Sequence, residues 1–193
     1  MFSNKYMKKD NYLNNQFIIA MPGLTEPNFS HTVTYLCQHN EEGALGIIIN
    51  RSANMTLGEI FKQMDIRVTS KIASEIMVFA GGPVQQDRGF VLHTNDGSWD
   101  VSMKVSDTIS LTTSRDIIEA IATDTGPDKY LVALGYAGWG CGQIEQEILH
   151  NSWLNTPYSQ AILFESPVSQ RWQQAAKEIG IDINLLTAQA GHS

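Results

Sequence analysis

Residues 31–50 read HTVTYLCQHNEEGALGIIIN, two apolar, β-rich runs separated by a short polar turn. The first alternates around Val33, Tyr35 and Cys37 and the second is apolar on both faces, so both predict strands with a hairpin turn at HNEEG. A hairpin commits this part of the chain to antiparallel pairing. QFIIAMPGL before it, EIMVFAGGPV and RGFVLHTN after it, and the alternating WDVSMKVS add further strands, most of them stopped by Gly, Pro or Asn-Asp-Gly. MTLGEIFKQMDI places Leu57, Ile60, Phe61 and Met64 at helical spacing, with Thr56 and Glu59 as a capping pair. Thr113-x-x-Asp116 opens a second helical stripe through Ile117, Ile118 and Ile121.

The second half alternates more regularly. DKYLVALGYAG predicts a buried strand, QIEQEILHNSWL a helix, SQAILFE a strand and SPVSQRWQQAAKEIG a final helix. Ser166 is placed to cap that last helix, Pro167 to fit its first turn and Gly180 its end. Hairpins followed by strand–helix alternation predict an α/β fold, a mixed β-sheet sandwich covered by helices, in a single compact domain over 13–193. Residues 1–12, polar and without periodicity, predict a loose N-terminal tail.

Composition narrows function more than fold. A chain of 193 residues with 42% hydrophobic content can bury a full core without disulfides, and its two cysteines, Cys37 and Cys141, predict reduced thiols. The formal net charge of −7 opposes nonspecific attraction to nucleic acid and to anionic membranes, and there is no helix-turn-helix pattern. No apolar run approaches the roughly 20 residues of a membrane span and the N-terminus has no secretory pattern, so the cytoplasm is the expected location.

Three segments carry candidate chemistry. LGYAGWGCGQIEQEI packs Gly135, Gly138, Gly140 and Gly142 ahead of a helix, which suggests an anion cradle. It lacks the G-K-[ST] ending and the dinucleotide spacing, and Glu145 and Glu147 bring negative charge to the helix start, so a close strand-to-helix joint is the stronger reading. Cys141 in that joint is a conceivable nucleophile, yet no base stands near it in sequence, and there is no G-x-S-x-G turn. In AGGPVQQDRGFVLH, Arg88 and, from IINRS, Arg51 can form a pocket for a carboxylate or phosphate, weighed against ion pairing with Asp87 or Glu26. His93, at the end of an apolar strand, reads as a hydrogen-bonded interior residue. With no H-E-x-x-H and no C-x-x-C, neither a metal site nor a cofactor is expected.

MPGLTEPNFSHTVTYLCQHNEEGALGIIINR, GGPVQQDRGFVLH and ALGYAGWGCGQIEQEILHNSWL, in that order, resemble the bacterial YqgE/AlgH family from about Leu13 to about Leu186. The resemblance implies one cytoplasmic α/β domain and a regulator of gene expression, as AlgH members are described. It supplies no enzyme activity and no catalytic residues, and Cys141 departs from the family pattern. The leading expectation is a binding or regulatory module whose site gathers Asn50, Arg51, Gly81, Gly82, Pro83, Arg88, Gly89, His93, Tyr136 and Trp139. Its partner would be a protein or a small anionic ligand, with direct DNA contact opposed by the charge. The rival expectation is a hydrolase or transferase acting on an anionic substrate through Cys141 or His93.

Overall fold

The computed structural model describes residues 12–190, with side chains to residue 186; most of the expected tail lies outside the described residues. The hairpin forms as its pattern predicts: β2 (Val33–Asn40) and β3 (Gly43–Ile48) pair antiparallel, with Asn40 opposite Gly43. β1 (Gln16–Ala20) lies beside β2, and β9 (Tyr130–Gly140) is the spine of the sheet. The C-terminal half of β9 pairs with β3, from Gly46↔Ala137 to Gly43↔Gly140. Its N-terminal half pairs in parallel with β5 (Met77–Ala80), while β6 (Val84–Thr94) runs antiparallel to β9. β8 (Ile109–Thr112) and β7 (Ser102–Lys104) extend the sheet beyond β6, β4 (Ser52–Thr56) flanks β5, and β10 (Trp153–Pro157) flanks β1.

The sheet is a single surface, strongly curled into a half-barrel. Phe17 and Ile19 on β1 share one apolar cluster with Ile109 and Leu111 on β8, five positions away in strand order, and only a curled sheet brings those strands to one core. Alternate residues point the other way: Ile18 and Leu36 join a second cluster, Val91 and Val132 a third. Both faces are therefore apolar because both are covered. Inside the curl lie Ile162 and Leu163 and, from α5 (Arg171–Glu178), Ala175 and Ala176, followed by α6 (Ile183–Ala190). Outside, α1 (Leu57–Gln63), α2 (Lys71–Glu75) and α3 (Arg115–Ala122) cover one half, and α4 (Gln143–Leu149) covers the other.

Several elements differ from expectation. SQAILFE is a π-helical turn over Ala161–Glu165, not a strand; its apolar run of four residues is too short for periodicity to separate the two. Conversely, the helix from Gln143 stops at Leu149, and Trp153–Pro157, with Trp153 and Thr156 buried, is an edge strand. Ser166 ends the π-helical turn instead of capping α5, whose N-cap is Gln170, whereas Gly180 does sit just past its end at φ +74°. Ser114, not Thr113, is the N-cap of α3. No helix among the described residues is long and apolar enough to cross a membrane.

Candidate functional site

The structure does not bring the expected residues to one concave surface. Asn50 pins the loop before β2: its amide oxygen accepts from the Val33 N–H at 2.8 Å and its NH2 donates to the His31 carbonyl at 2.8 Å. Arg51 donates to the carbonyls of Pro27 at 3.0 Å, Asn28 at 2.6 Å and Ser30 at 3.0 Å. It meets Gly82 and Pro83 around a hollow of about 100 Å³. Gly81 and Gly82 are crossing points: a Cβ on Gly82 would lie 2.0 Å from the Tyr136 carbonyl carbon, and one on Gly81 2.4 Å from the Gly135 oxygen. The turn from β5 to β6 passes this close to β9 where β9 exchanges β5 for β3 as a neighbour.

Tyr136 and Trp139 line a different, open hollow against β3, and Trp139 is buried at 5% exposure, not the surface aromatic its setting suggests. Its indole N–H donates to Glu147 Oε2 at 2.9 Å, as does that of Trp153. Glu145 accepts from His39 Nε2 at 2.8 Å; the other His39 nitrogen accepts the Leu13 N–H, which fixes that tautomer. The two glutamates of the glycine-rich stretch thus fasten α4 to β2, β9 and β10. Gly142, at φ +70°, starts the helix and serves backbone conformation, whereas Gly135 serves close approach, its Cβ position lying 2.5 Å from the Gly82 oxygen. Cys141 is exposed and has no hydrogen-bond or ion-pair partner among the described residues. Burial pushes the Cys37 thiol up, which leaves it inert.

His93 is 1% exposed. Its Nδ1–H donates to the Thr94 carbonyl at 2.8 Å, so Nε2 accepts from the Thr112 hydroxyl at 2.7 Å. Burial lowers its pKa, and the ring is held neutral inside the sheet, without an approach for a substrate.

Arg88 and Gly89 line a hollow of about 510 Å³ on the outer face, between α1 and α3. Its floor is Val91, Val132 and Leu134, its walls Ile60 from α1, Met64 at the C-cap of α1 and Ile118 from α3. Asp87, Arg88, Thr113 and Arg115 stand on the polar side. The two arginines differ. Arg115 is committed, with Nε 2.6 Å from Glu119 Oε1 and an Nη2 bond to the Met64 carbonyl at 2.9 Å. Arg88 has no ion pair among the described residues; it donates to Thr113 Oγ1 at 3.2 Å and Gln85 Oε1 at 3.4 Å, with its guanidinium 5.7 Å from the Phe90 ring centre. Size, apolar floor and sparse polar groups are those of a small-ligand site. Sequence reasoning found Arg88 and Gly89 but missed Arg115, Ile60, Met64 and Ile118, whose spacing along two separate helices carries no sign that they face one space.

Fold and cavity together define a class: a mixed α/β domain on one curled sheet, carrying an arginine-edged hollow on its outer face. The AlgH-like family model matches residues 17–184, and the chain belongs to that family. It is 58% identical over 179 residues to a UPF0301 protein of Thioalkalivibrio sulfidiphilus, covering 93% of this chain and 96% of that one. It is 53% identical over 181 residues to a UPF0301 protein of Methylococcus capsulatus, covering 94% of this chain and 96% of that one. The solution structure of the AlgH protein from Pseudomonas aeruginosa superposes with a TM-score of 0.78 at 44% identity, covering 97% of this chain and 100% of that one. A crystal structure from Corynebacterium diphtheriae shares the fold at a TM-score of 0.71 and 18% identity, covering 97% of this chain and 94% of that one.

Proposed function

We propose that this protein is a cytoplasmic regulatory binding module that responds to a small amphipathic anion, taken up between α1 and α3, and passes the signal to a protein partner without touching DNA. The observation that carries this is Arg88: an exposed guanidinium with no carboxylate partner among the described residues, at the edge of an apolar hollow of about 510 Å³. An anionic head on Arg88 would gain charge-assisted hydrogen bonds while its apolar body leaves water. The net charge of −7 supports action through ligand or protein contacts rather than the phosphate backbone, and two free thiols, one exposed, suit a reducing compartment. Equilibrium dialysis of wild type and Arg88→Gln against a bacterial metabolite extract, read by mass spectrometry, tests it. The proposal predicts small apolar anions enriched by wild type and lost in the variant; identical profiles from two equally folded proteins contradict it.

A further inference from the structure

We infer that His39 is a pH-operated latch on the N-terminal segment: the neutral ring holds Leu13 to the end of β2, and the protonated ring lets Leu13 go and keeps Glu145 alone. The latch shares no residue with the α1–α3 cavity. His39 is 2% exposed, and both of its ring nitrogens are in use. Nδ1 accepts the Leu13 N–H at 2.9 Å, and Nε2–H donates to Glu145 Oε1 at 2.8 Å. A ring nitrogen accepts only while it carries no proton, so the bond to Leu13 belongs to the neutral state. Tyr12 meets the same ring edge to face, with centres 5.0 Å apart, and Leu13 packs on the cluster of Ile18, Leu36, Trp139 and Ile144.

The protonated state has a stabilisation of its own. Glu145 Oε2 is buried and has no hydrogen-bond partner among the described residues, so a neutral imidazole satisfies only half of that carboxylate. A second ring proton turns the neutral hydrogen bond into an ion pair with Glu145. The same proton sets Nδ1–H against the Leu13 N–H, two donors with no acceptor between them. From α4 the ring faces the Glu145 carboxylate, which is its one ion-pair partner among the described residues; from the N-terminal segment it faces the Tyr12 ring, and Ala44, opposite it on β3, does not titrate. Asn14 grips the His39 main chain whatever the charge on the ring: its NH2 donates to the His39 carbonyl at 3.1 Å and its oxygen accepts the His39 N–H. Asn15 N–H donates to the Leu36 carbonyl at 2.9 Å. Asn14 is therefore the hinge, and Leu13 and Tyr12 are the described residues that acid sets free. Histidine side chains take up a proton between about pH 8 and 5. The fastening is accordingly complete at the alkaline end of that range and is lost as pH falls through it.

NMR of the full chain between about pH 8 and 5 tests the latch, with amide exchange corrected for its intrinsic rate and the His39 ring followed by its nitrogen shifts. Leu13 is expected to lose protection roughly tenfold or more, with the midpoint of His39 protonation, while Asn15 stays protected. Glu145→Gln keeps an acceptor for Nε2–H and removes the charge, so it should move both midpoints together to lower pH. His39→Gln should abolish the pH step at Leu13. The latch is refuted if Leu13 stays protected once His39 is protonated, if His39 takes up no proton in this range, or if Glu145→Gln leaves the midpoint in place. Equal loss of protection at Asn15 would also refute it, because the segment would then be unfolding as a whole rather than turning about Asn14.

Discussion

Arg51 donates three hydrogen bonds to the carbonyls of the loop over residues 27–30, while Arg88 makes two long ones to neutral oxygens. The same side chain is a structural strut in one place and an open cation in the other. Arg51→Ala is expected to destabilise the protein by about 1–3 kcal/mol, since three loop carbonyls lose charged donors, whereas Arg88→Ala should stay within about 0.5 kcal/mol of wild type. Urea unfolding measures both; equal losses would refute the division of labour. His93 gives a pH prediction. Its folded pKa is lowered from 6.5, so the unfolded chain binds the extra proton first. The stability it contributes is complete above about 6.5 and is lost as pH falls from there through the lower folded value. His93→Gln should flatten that part of the stability profile between about pH 7.5 and 5; an unchanged slope would mean that His93 is not held neutral.

At the scale of elements, the joints hold the informative residues. Glu147 on α4 accepts the indole N–H groups of Trp139 on β9 and Trp153 on β10, so one carboxylate fastens a helix to two strands. Glu147→Leu leaves two buried donors unpaired and is expected to cost about 2–4 kcal/mol, with Glu147→Gln, which keeps an acceptor, costing less. A matched pair of glycines separates close approach from backbone conformation. Gly142 has φ +70° and open space around its Cβ position, so Gly142→Ala should cost about 1 kcal/mol. Gly82→Ala would press a methyl into the Tyr136 backbone and should abolish cooperative folding; near-wild-type melting of that variant would overturn the crossing described for β5, β6 and β9. These joints also mark the limit of what the sequence discloses. The β2–β3 hairpin, α1, α3 and β9 are legible because pattern, turn residues and length agree. The π-helical turn and β10 are not, because four apolar residues or an edge strand with only two buried side chains leave no period to read. Gly81, Gly82, Tyr136 and Trp139 are conspicuous in sequence for their part in packing β9 against its neighbours, which is why a search for unusual residues gathers them with Arg88 although Gly82, Tyr136 and Trp139 line other hollows.

For the molecule as a whole, the curl of the sheet decides where a ligand can go. The inside of the half-barrel is filled by α5, the π-helical turn and a continuous apolar cluster. The outside is covered by two helix groups, and between α1 and α3 the cover leaves a hollow whose walls come from residues about 55 positions apart in sequence. That separation is why Arg88 was legible as a candidate and its apolar surroundings were not. The most direct measurement is a methyl-detected NMR titration of wild type and Arg88→Gln with 4-methylpentanoate, the cavity methyls of Ile60, Val91, Ile118, Val132 and Leu134 serving as reporters. The account predicts saturable shifts confined to those methyls in wild type and weakened at least tenfold in the variant. Shifts scattered over the surface, or equally strong without the guanidinium, would contradict it.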